Sequence, residues 1–524
     1  MKNSSVLVAG GRAAMAIPLA VTSARSAPAS PIATTTFGKL RGLTEDGIHV
    51  FRGIPYGADT SGKNRFMPPK KPTPWKDVRD ATTWGRVAPQ PLPGGSWDST
   101  RATRWYTRTG GMGEDCLLLN IWTPAIKDGG KRAVMFSIHG GGFTSGTSHN
   151  PVFDGRSLAK MGDVVVVTIN HRLGALGYMH LGELAPEFAY SGVAGMMDIV
   201  AALEWVRDNI ENFGGDPGKV MIFGQSGGGG KVCHLMAMPS AKGLFHRAAI
   251  QSGATMRTGR PENALKSTDS MLQQLGLTKS RFSELQDIPF EMIVGAQTAV
   301  RGNFSPVLDG KVVPRDPFEP DAPAVSSDVP MMGGSNLHDF GSWRTDIEVD
   351  EAAAKEQAAK ALGGADSDRI WTAYRSADPD ASPSLLLARI TNDRTLRANT
   401  RTVIERKTEL GKAPGFLYLL TWPAPYMNGR FGSVHGTDVP LIFRNPNSWP
   451  LTADSKDNVV LADRMAGAFI AFAKTGNPST PELPWPAYNP KTKPTMIFDV
   501  RSKAQENPHA DLMAMLPPAG STLR

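Results

Sequence analysis

The chain has 524 residues, 40% hydrophobic and 20% charged, a balance that supports a sizeable buried core and excludes an intrinsically disordered protein. Its formal net charge is +8, but no block of Lys and Arg concentrates it, so a nucleic-acid partner is not expected and a mildly basic surface is. No run of about 18 apolar residues occurs, and no transmembrane helix is expected.

The first 27 residues contain no acid. Lys2 and Arg12 precede the small apolar run Ala13 to Val21, and Thr22-Ser23-Ala24 offers small residues for cleavage. Residues 1–27 therefore read as a signal peptide and the protein as periplasmic or secreted. Pro18 and Arg25 depart from the pattern and leave a cytoplasmic leader as the alternative. From residue 34 to residue 510 there is no long linker and no internal repeat, so one large α/β domain with long surface excursions is expected.

Thr34 to Val78 reads as short strands and turns, and Leu117 to Trp122 as a strand. Arg132 to Ile138 and Val164 to Asn170 are continuous apolar runs, the pattern of strands covered on both faces of a parallel sheet. Met196, Ile199, Leu203, Val206, Ile210 and Phe213 recur every three or four residues, which predicts a helix over Ala194 to Phe213 ended by Gly214-Gly215. Further strands are expected at Val220 to Phe223, Ala248 to Gln251, Pro330 to Gly333, Phe416 to Leu420 and Met496 to Phe498. Strands alternating with helices give a doubly wound, mostly parallel sheet. Helical stretches between Ala254 and Val300 and between Glu351 and Leu410 read as insertions over the sheet's C-terminal edge. The loop Pro91 to Gly113, with Trp97, Trp105 and Tyr106, reads equally well as a pocket wall or as packing.

Gly224-Gln225-Ser226-Gly227-Gly228 joins the strand at Val220 to a helix running through Lys231 to Met238. A serine between glycines at a strand-to-helix turn sits on a sharp elbow, exposed and close to a helix N-terminus. Its hydroxyl needs a base, and the base needs an orienting acid further back. Five histidines follow it: His234, His246, His338, His435 and His509. His234 and His246 precede any plausible acid-bearing loop, and His338 adjoins the best acid candidate. His435, in Gly432-Ser433-Val434-His435-Gly436 beyond a late strand, is the favoured base over His509 in the polar tail. Asp339 follows a strand through a short loop, but spacing alone leaves it level with Asp309 and Glu319. His139-Gly140-Gly141-Gly142-Phe143 follows the strand ending at Ile138, and Gly141, Gly142 and Gly227 would donate backbone N–H groups to an oxyanion.

Two other chemistries fail. Gly227 to Lys231 superficially resembles a phosphate-binding loop, but Gln225 stands where that motif needs glycine and Val232 where it needs Ser or Thr. No His-Glu-x-x-His or comparable spacing suggests a metal site, and no cofactor is implied.

These residues resemble the type-B carboxylesterase family, the cholinesterase-like branch of the α/β-hydrolases. The likeness runs from about Gly38 to Phe498. It includes Phe51-Arg52-Gly53-Ile54-Pro55-Tyr56, Glu114-Asp115-Cys116-Leu117-Leu118-Leu119-Asn120, Asn170-His171-Arg172-Leu173-Gly174, Asn212-Phe213-Gly214-Gly215-Asp216-Pro217, Phe245-His246-Arg247-Ala248 and Gln251-Ser252-Gly253. The resemblance implies the α/β-hydrolase fold, and a serine ester hydrolase acting on small molecules without a cofactor. It implies Ser226 as nucleophile, His435 as base, Asp339 as acid, and Gly141, Gly142 and Gly227 as oxyanion donors, with Gln225 and Ser252 in support.

Four departures from the family pattern stand out. Asp339 replaces the usual Glu, so its loop must come closer. Gln225 replaces a Glu, which favours neutral over quaternary-ammonium esters. Gly227 replaces an Ala, which is expected to widen the acyl side. Ala88 stands where Cys116 would find its disulfide partner, so Cys116 and Cys233 are expected as buried free thiols. A carbamate or amide hydrolase of the same mechanism is the alternative. A catalytically silent binding module is disfavoured because Ser226 and His435 are both present.

Overall fold

The computed structural model describes Met1 and residues 30–91, 111–300, 302–339, 349–364 and 366–518. The expected leader past Met1 and the aromatic loop with Trp97, Trp105 and Tyr106 lie outside the described residues. An 11-stranded sheet organises the rest. In chain order its strands are β1 (Leu43–Glu45), β2 (Ile48–Pro55), β3 (Leu118–Thr123), β4 (Arg132–Ile138), β5 (Val165–Ile169), β6 (Gly215–Gln225), β7 (Arg247–Gln251), β8 (Met331–Asn336), β9 (Gly415–Leu420), β10 (Pro494–Phe498) and β11 (Lys503–Glu506). They lie side by side as β11-β10-β9-β8-β7-β6-β4-β5-β3-β2-β1. The seven strands from β10 across to β5 run parallel, and the margins are antiparallel. This is the doubly wound architecture that strand and helix alternation implied.

The apolar runs are continuous because both faces are covered. Val134, Phe136 and Ile138 of β4 join one core cluster, while Ala133 and Met135 join the other. Helix α1 (Ala194–Asn209) packs into the first cluster through Met196, Ile199, Leu203 and Val206. Each such side chain contributes roughly 1.5–3 kcal/mol when fully buried. Ile210–Phe213 continues as a tighter 3-10 turn, shortening the expected α-helix, and Gly214 stops it at φ 75°. Helix α3 (Asn458–Thr475) fills the second cluster with Leu461, Met465, Phe469 and Phe472. It was not anticipated from the sequence, nor was edge strand β11. The insertions are helical as expected, including Pro261–Gln274, Phe290–Val300 and Glu351–Leu362. Among the described residues no helix is long and apolar enough to cross a membrane. Cys116 and Cys233 are buried free thiols, both disfavoured from ionising chiefly by burial.

Strand order reverses between β4 and β6, because β5 lies on one side of β4 and β6 on the other. Such a switch point leaves a crevice at the carboxyl ends of the strands. Ile138 pairs in register with Gly224, so the chain leaves both strands at one level, with His139–Gly142 beside Gln225–Ser226. Behind this crevice Arg172 is clamped to Asp198. Its Nε and backbone N donate to one carboxylate oxygen at 2.8 and 3.0 Å, and Nη2 donates to the other at 2.6 Å. The neighbouring His171 ring stacks on His139 at 4.8 Å, so the clamp also steadies the start of the glycine loop. Asp198→Ala leaves a buried guanidinium without its counter-charge, and urea denaturation should show a loss of about 3–5 kcal/mol. The double variant R172M/D198L should be less destabilised than D198A.

Candidate active site

Ser226 stands between β6 and helix α2 (Gly227–Ala237) with φ 58° and ψ −125°, a conformation that a side-chain-bearing residue adopts only under strain. The surroundings over-determine it. Its N–H donates to the Gln251 carbonyl at 2.7 Å, and its own carbonyl accepts from Gly230 at 3.0 Å. A Cβ at Gly224 would strike Gly228, and one at Gly253 would strike the Ser226 carbonyl. Glycine is needed on both sides because backbone, not side chain, fills that space. Ser226 remains partly exposed while the strand beneath it is buried.

The loop after β4 runs alongside. Gly141 and Gly142 have φ 91° and 61°, and among the described residues no acceptor meets their N–H groups. The Gly227 N–H belongs to the first turn of α2, where no intrahelical acceptor exists. A Cβ at Gly227 would collide with the Gly142 carbonyl. The missing methyl is therefore filled by the loop itself, which corrects the expectation of a wider acyl side.

On the other flank Asp339 is fully buried, and its Oδ1 lies 2.8 Å from Nδ1 of the partly exposed His435. Its second oxygen accepts from the Asn336 N–H at 2.9 Å. The two loops are laced together: His338 N–H donates to the Ser433 carbonyl at 3.0 Å, Ser433 N–H donates to His338 Nδ1 at 3.2 Å, and Asn336 Nδ2 donates to the Val434 carbonyl at 2.8 Å. This lacing brings the shorter Asp339 close enough. Burial pushes His338 down to about 4, so its ring is neutral and free to accept that bond.

With Nδ1 donating to Asp339, Nε2 is the ring's acceptor. In this structure it lies 3.1 Å from Nε2 of Gln225, the residue next to the serine. Ser252, at φ 46°, donates its N–H to Gly334 at 2.8 Å, and its buried hydroxyl has no partner among the described residues.

The competing candidates are committed elsewhere. Asp309 accepts from the N–H groups of Lys311, Val312 and Val313 in its own turn. Glu319 pairs with Arg257 at 2.6 Å, and His509 lies 3.2 Å from Arg397. His234 Nδ1 donates to the Gly230 carbonyl while its Nε2 meets the Thr258 hydroxyl, and His246 contacts Val220 N–H. Asn336, His338, Lys231 and Asp438 carry no motif that would single them out, and each acts through contacts between segments distant in the chain.

A family model described as the carboxylesterase family matches residues 29–515. The chain belongs to the carboxylesterase family. It is similar to the para-nitrobenzyl esterase of Bacillus subtilis (strain 168), 34% identical over 93% of this chain and 99% of that protein. It is also similar to the phenmedipham hydrolase of Pseudarthrobacter oxydans, 33% identical over 87% and 93% of the two chains. A solved carboxylesterase from Geobacillus stearothermophilus superposes with a TM-score of 0.80 at 32% identity, covering 93% of this chain and all of that one. The α/β-hydrolase fold and the serine ester hydrolase activity implied by the sequence both follow.

Behind His435 in this carboxylesterase lies a second buried carboxylate. Asp438 accepts from the Tyr418 hydroxyl at 2.9 Å, and its other oxygen has no partner among the described residues. Burial first, and then the charge of Asp339, push it up to about 6. An unfolded aspartate titrates near 3.9. Because the folded value is raised, the stability tied to this proton is complete below about pH 4 and is lost as pH rises through about 6. Asp438→Asn should therefore melt with the parent at pH 4 and about 2–4 °C above it at pH 7–8 by calorimetry.

Proposed function

We propose that this carboxylesterase cleaves neutral small-molecule carboxylic esters through an acyl-enzyme on Ser226. His435 serves as base and acid, Asp339 orients it, and the N–H groups of Gly141, Gly142 and Gly227 receive the oxyanion. One observation carries the reading: an Asp339–His435 bond of 2.8 Å beside a serine strained at φ 58° on a helix N-terminus. The catalytic unit is taken as residues 34–510, behind a leader over residues 1–27 that exports the protein.

Asp339 keeps the proton on Nδ1, which makes Nε2 the basic atom. Rotation of the Gln225 side chain releases Nε2 to the Ser226 hydroxyl. As Oγ bonds to the ester carbonyl carbon, its proton passes to Nε2 and the carbonyl electron pair moves onto oxygen, facing the loop donors. Collapse breaks the bond to the alcohol, which leaves with the proton from Nε2. Water then attacks the acyl carbon, gives its proton to Nε2, and the acid departs as Ser226 regains a proton. Gln225 can turn its carbonyl end to the imidazolium once Nε2 carries hydrogen, an exchange open to an amide but not to a carboxylate. With no charge at position 225, the site has less attraction for cationic esters. The likeness to a phenmedipham hydrolase makes a carbamate or amide the second bond to compare.

A mass-tagged fluorophosphonate should modify Ser226 alone and spare S226A, whose kcat should fall by at least about 10⁴-fold. Tagging elsewhere, or an active S226A protein, would overturn the scheme. Matched nitrophenyl ester, carbamate and anilide substrates should rank in that order of kcat/KM. Gln225→Glu puts a carboxylate against Nε2 and favours the imidazolium, so the acid limb of the kcat/KM profile should move up by about one pH unit. An unmoved limb would place residue 225 out of the base's reach.

A further inference from the structure

Helix α2 carries a charged residue in an otherwise apolar setting. Lys231 is fully buried, one turn beyond the nucleophile elbow, among Val232, Cys233 and Leu235. Its Nζ donates to the Gly142 carbonyl at 2.7 Å and to the His139 carbonyl at 3.3 Å, and it lies 5.1 Å from the centre of the Phe143 ring. All three contacts fall on one segment, the loop that follows β4. Among the described residues no carboxylate pairs with it. A buried lysine without a counter-ion is costly, and nothing in the packing of α2 requires one.

We propose that Lys231 is a positioning residue for ester hydrolysis, fixing the loop whose N–H groups face the oxyanion by bonding the carbonyls of His139 and Gly142. This rests on the assignment of Ser226 as nucleophile and goes beyond it. The amine grips the peptide just past Gly142 N–H, so it sets the direction of that donor. It also places a cation on the side of the site where negative charge develops, in surroundings that screen it weakly. The grip depends on Gly227: a Cβ there would push the Gly142 carbonyl away from the amine. The titratable groups facing Lys231 are His139 from the loop, His171 from the turn after β5 and His234 from its own helix. Burial, reinforced by the Lys231 charge, drives all three rings below their ordinary range and keeps them neutral. Burial also lowers Lys231 itself to about 7.

Lys231→Met keeps the length and removes the donor. Its kcat should fall about 10- to 100-fold with KM within about twofold, less than the loss of a whole oxyanion donor. Affinity for a trifluoromethyl ketone should fall by the same factor as kcat. K231Q, which restores a donor one bond shorter, should recover part of the loss. A folded K231M protein with kcat within twofold of the parent, or with KM alone raised, would overturn the proposal. Fluorophosphonate tagging of Ser226 in the same K231M sample separates a failure here from a failure of the nucleophile assignment.

Discussion

The close approach of two backbones, the loop after β4 and the first turn of α2, is the contact on which the rest of the site depends. It exists because β4 and β6 are parallel neighbours that end at the same level, with Ile138 opposite Gly224. Neither segment can carry a side chain at the contact: Gly140, Gly227 and Gly228 would each drive a Cβ into the opposing chain. Glycine is costly in a helix, about 1 kcal/mol relative to alanine, and α2 opens with four of them. Its stability must come from elsewhere, and the burial of Val232, Cys233, Leu235 and Met236 between the sheet and its neighbours provides it. The apolar second half of α2 holds the permissive first half in place.

The legible parts of the sequence were those whose physics is local. Strands covered on both faces read as unbroken apolar runs. The stripe of α1 read as a helix because its period is fixed by geometry within a few turns. The elbow read as such because glycine spacing reports a backbone constraint directly. Helix α3 was missed although it is 18 residues long. Its Ala and Gly positions at 462, 466, 467, 468, 471 and 473 dilute the stripe, and the packing that selects the helical state comes from strands hundreds of residues earlier. Its amphipathic signal is weak because much of its surface is covered.

The site divides the same way. Ser226 and the glycines announce themselves through the turn they make. The proposed acid did not, because spacing could not rank Asp339 above Asp309 or Glu319, and resemblance had to rank it. What separates them physically is non-local. Asp309 finds its donors within four residues, whereas Asp339 is tied to a loop almost a hundred residues on through His338, Ser433 and Asn336. The reading of Gly227 as added space failed for a related reason. A missing methyl looks like room when only its own strand and helix are considered, and it is filled once the opposite loop is present.

The buried charges form a pattern that no single motif encodes. Lys231 and the N-terminus of α2 lie behind the glycine loop, where the proposed mechanism puts the negative charge of a tetrahedral adduct. Asp339 and, beyond it, Asp438 lie behind the imidazole, where the proton arrives. On the proposed mechanism the buried charges line up with the direction in which charge separates during attack, positive toward the oxyanion and negative toward the imidazolium. Groups held in place this way need little reorganisation when charge develops beside them, and such preorganisation is a large advantage of a protein site over water. They have a cost before the reaction occurs. Lys231 and Asp438 are both pushed toward their neutral forms by burial, in opposite directions on the pH scale. Stability and polarisation thus pull against each other at both ends of the site. A lysine with no carboxylate partner among the described residues and an under-bonded aspartate on opposite flanks of one elbow fit the passing charge of the proposed mechanism better than they fit the resting fold.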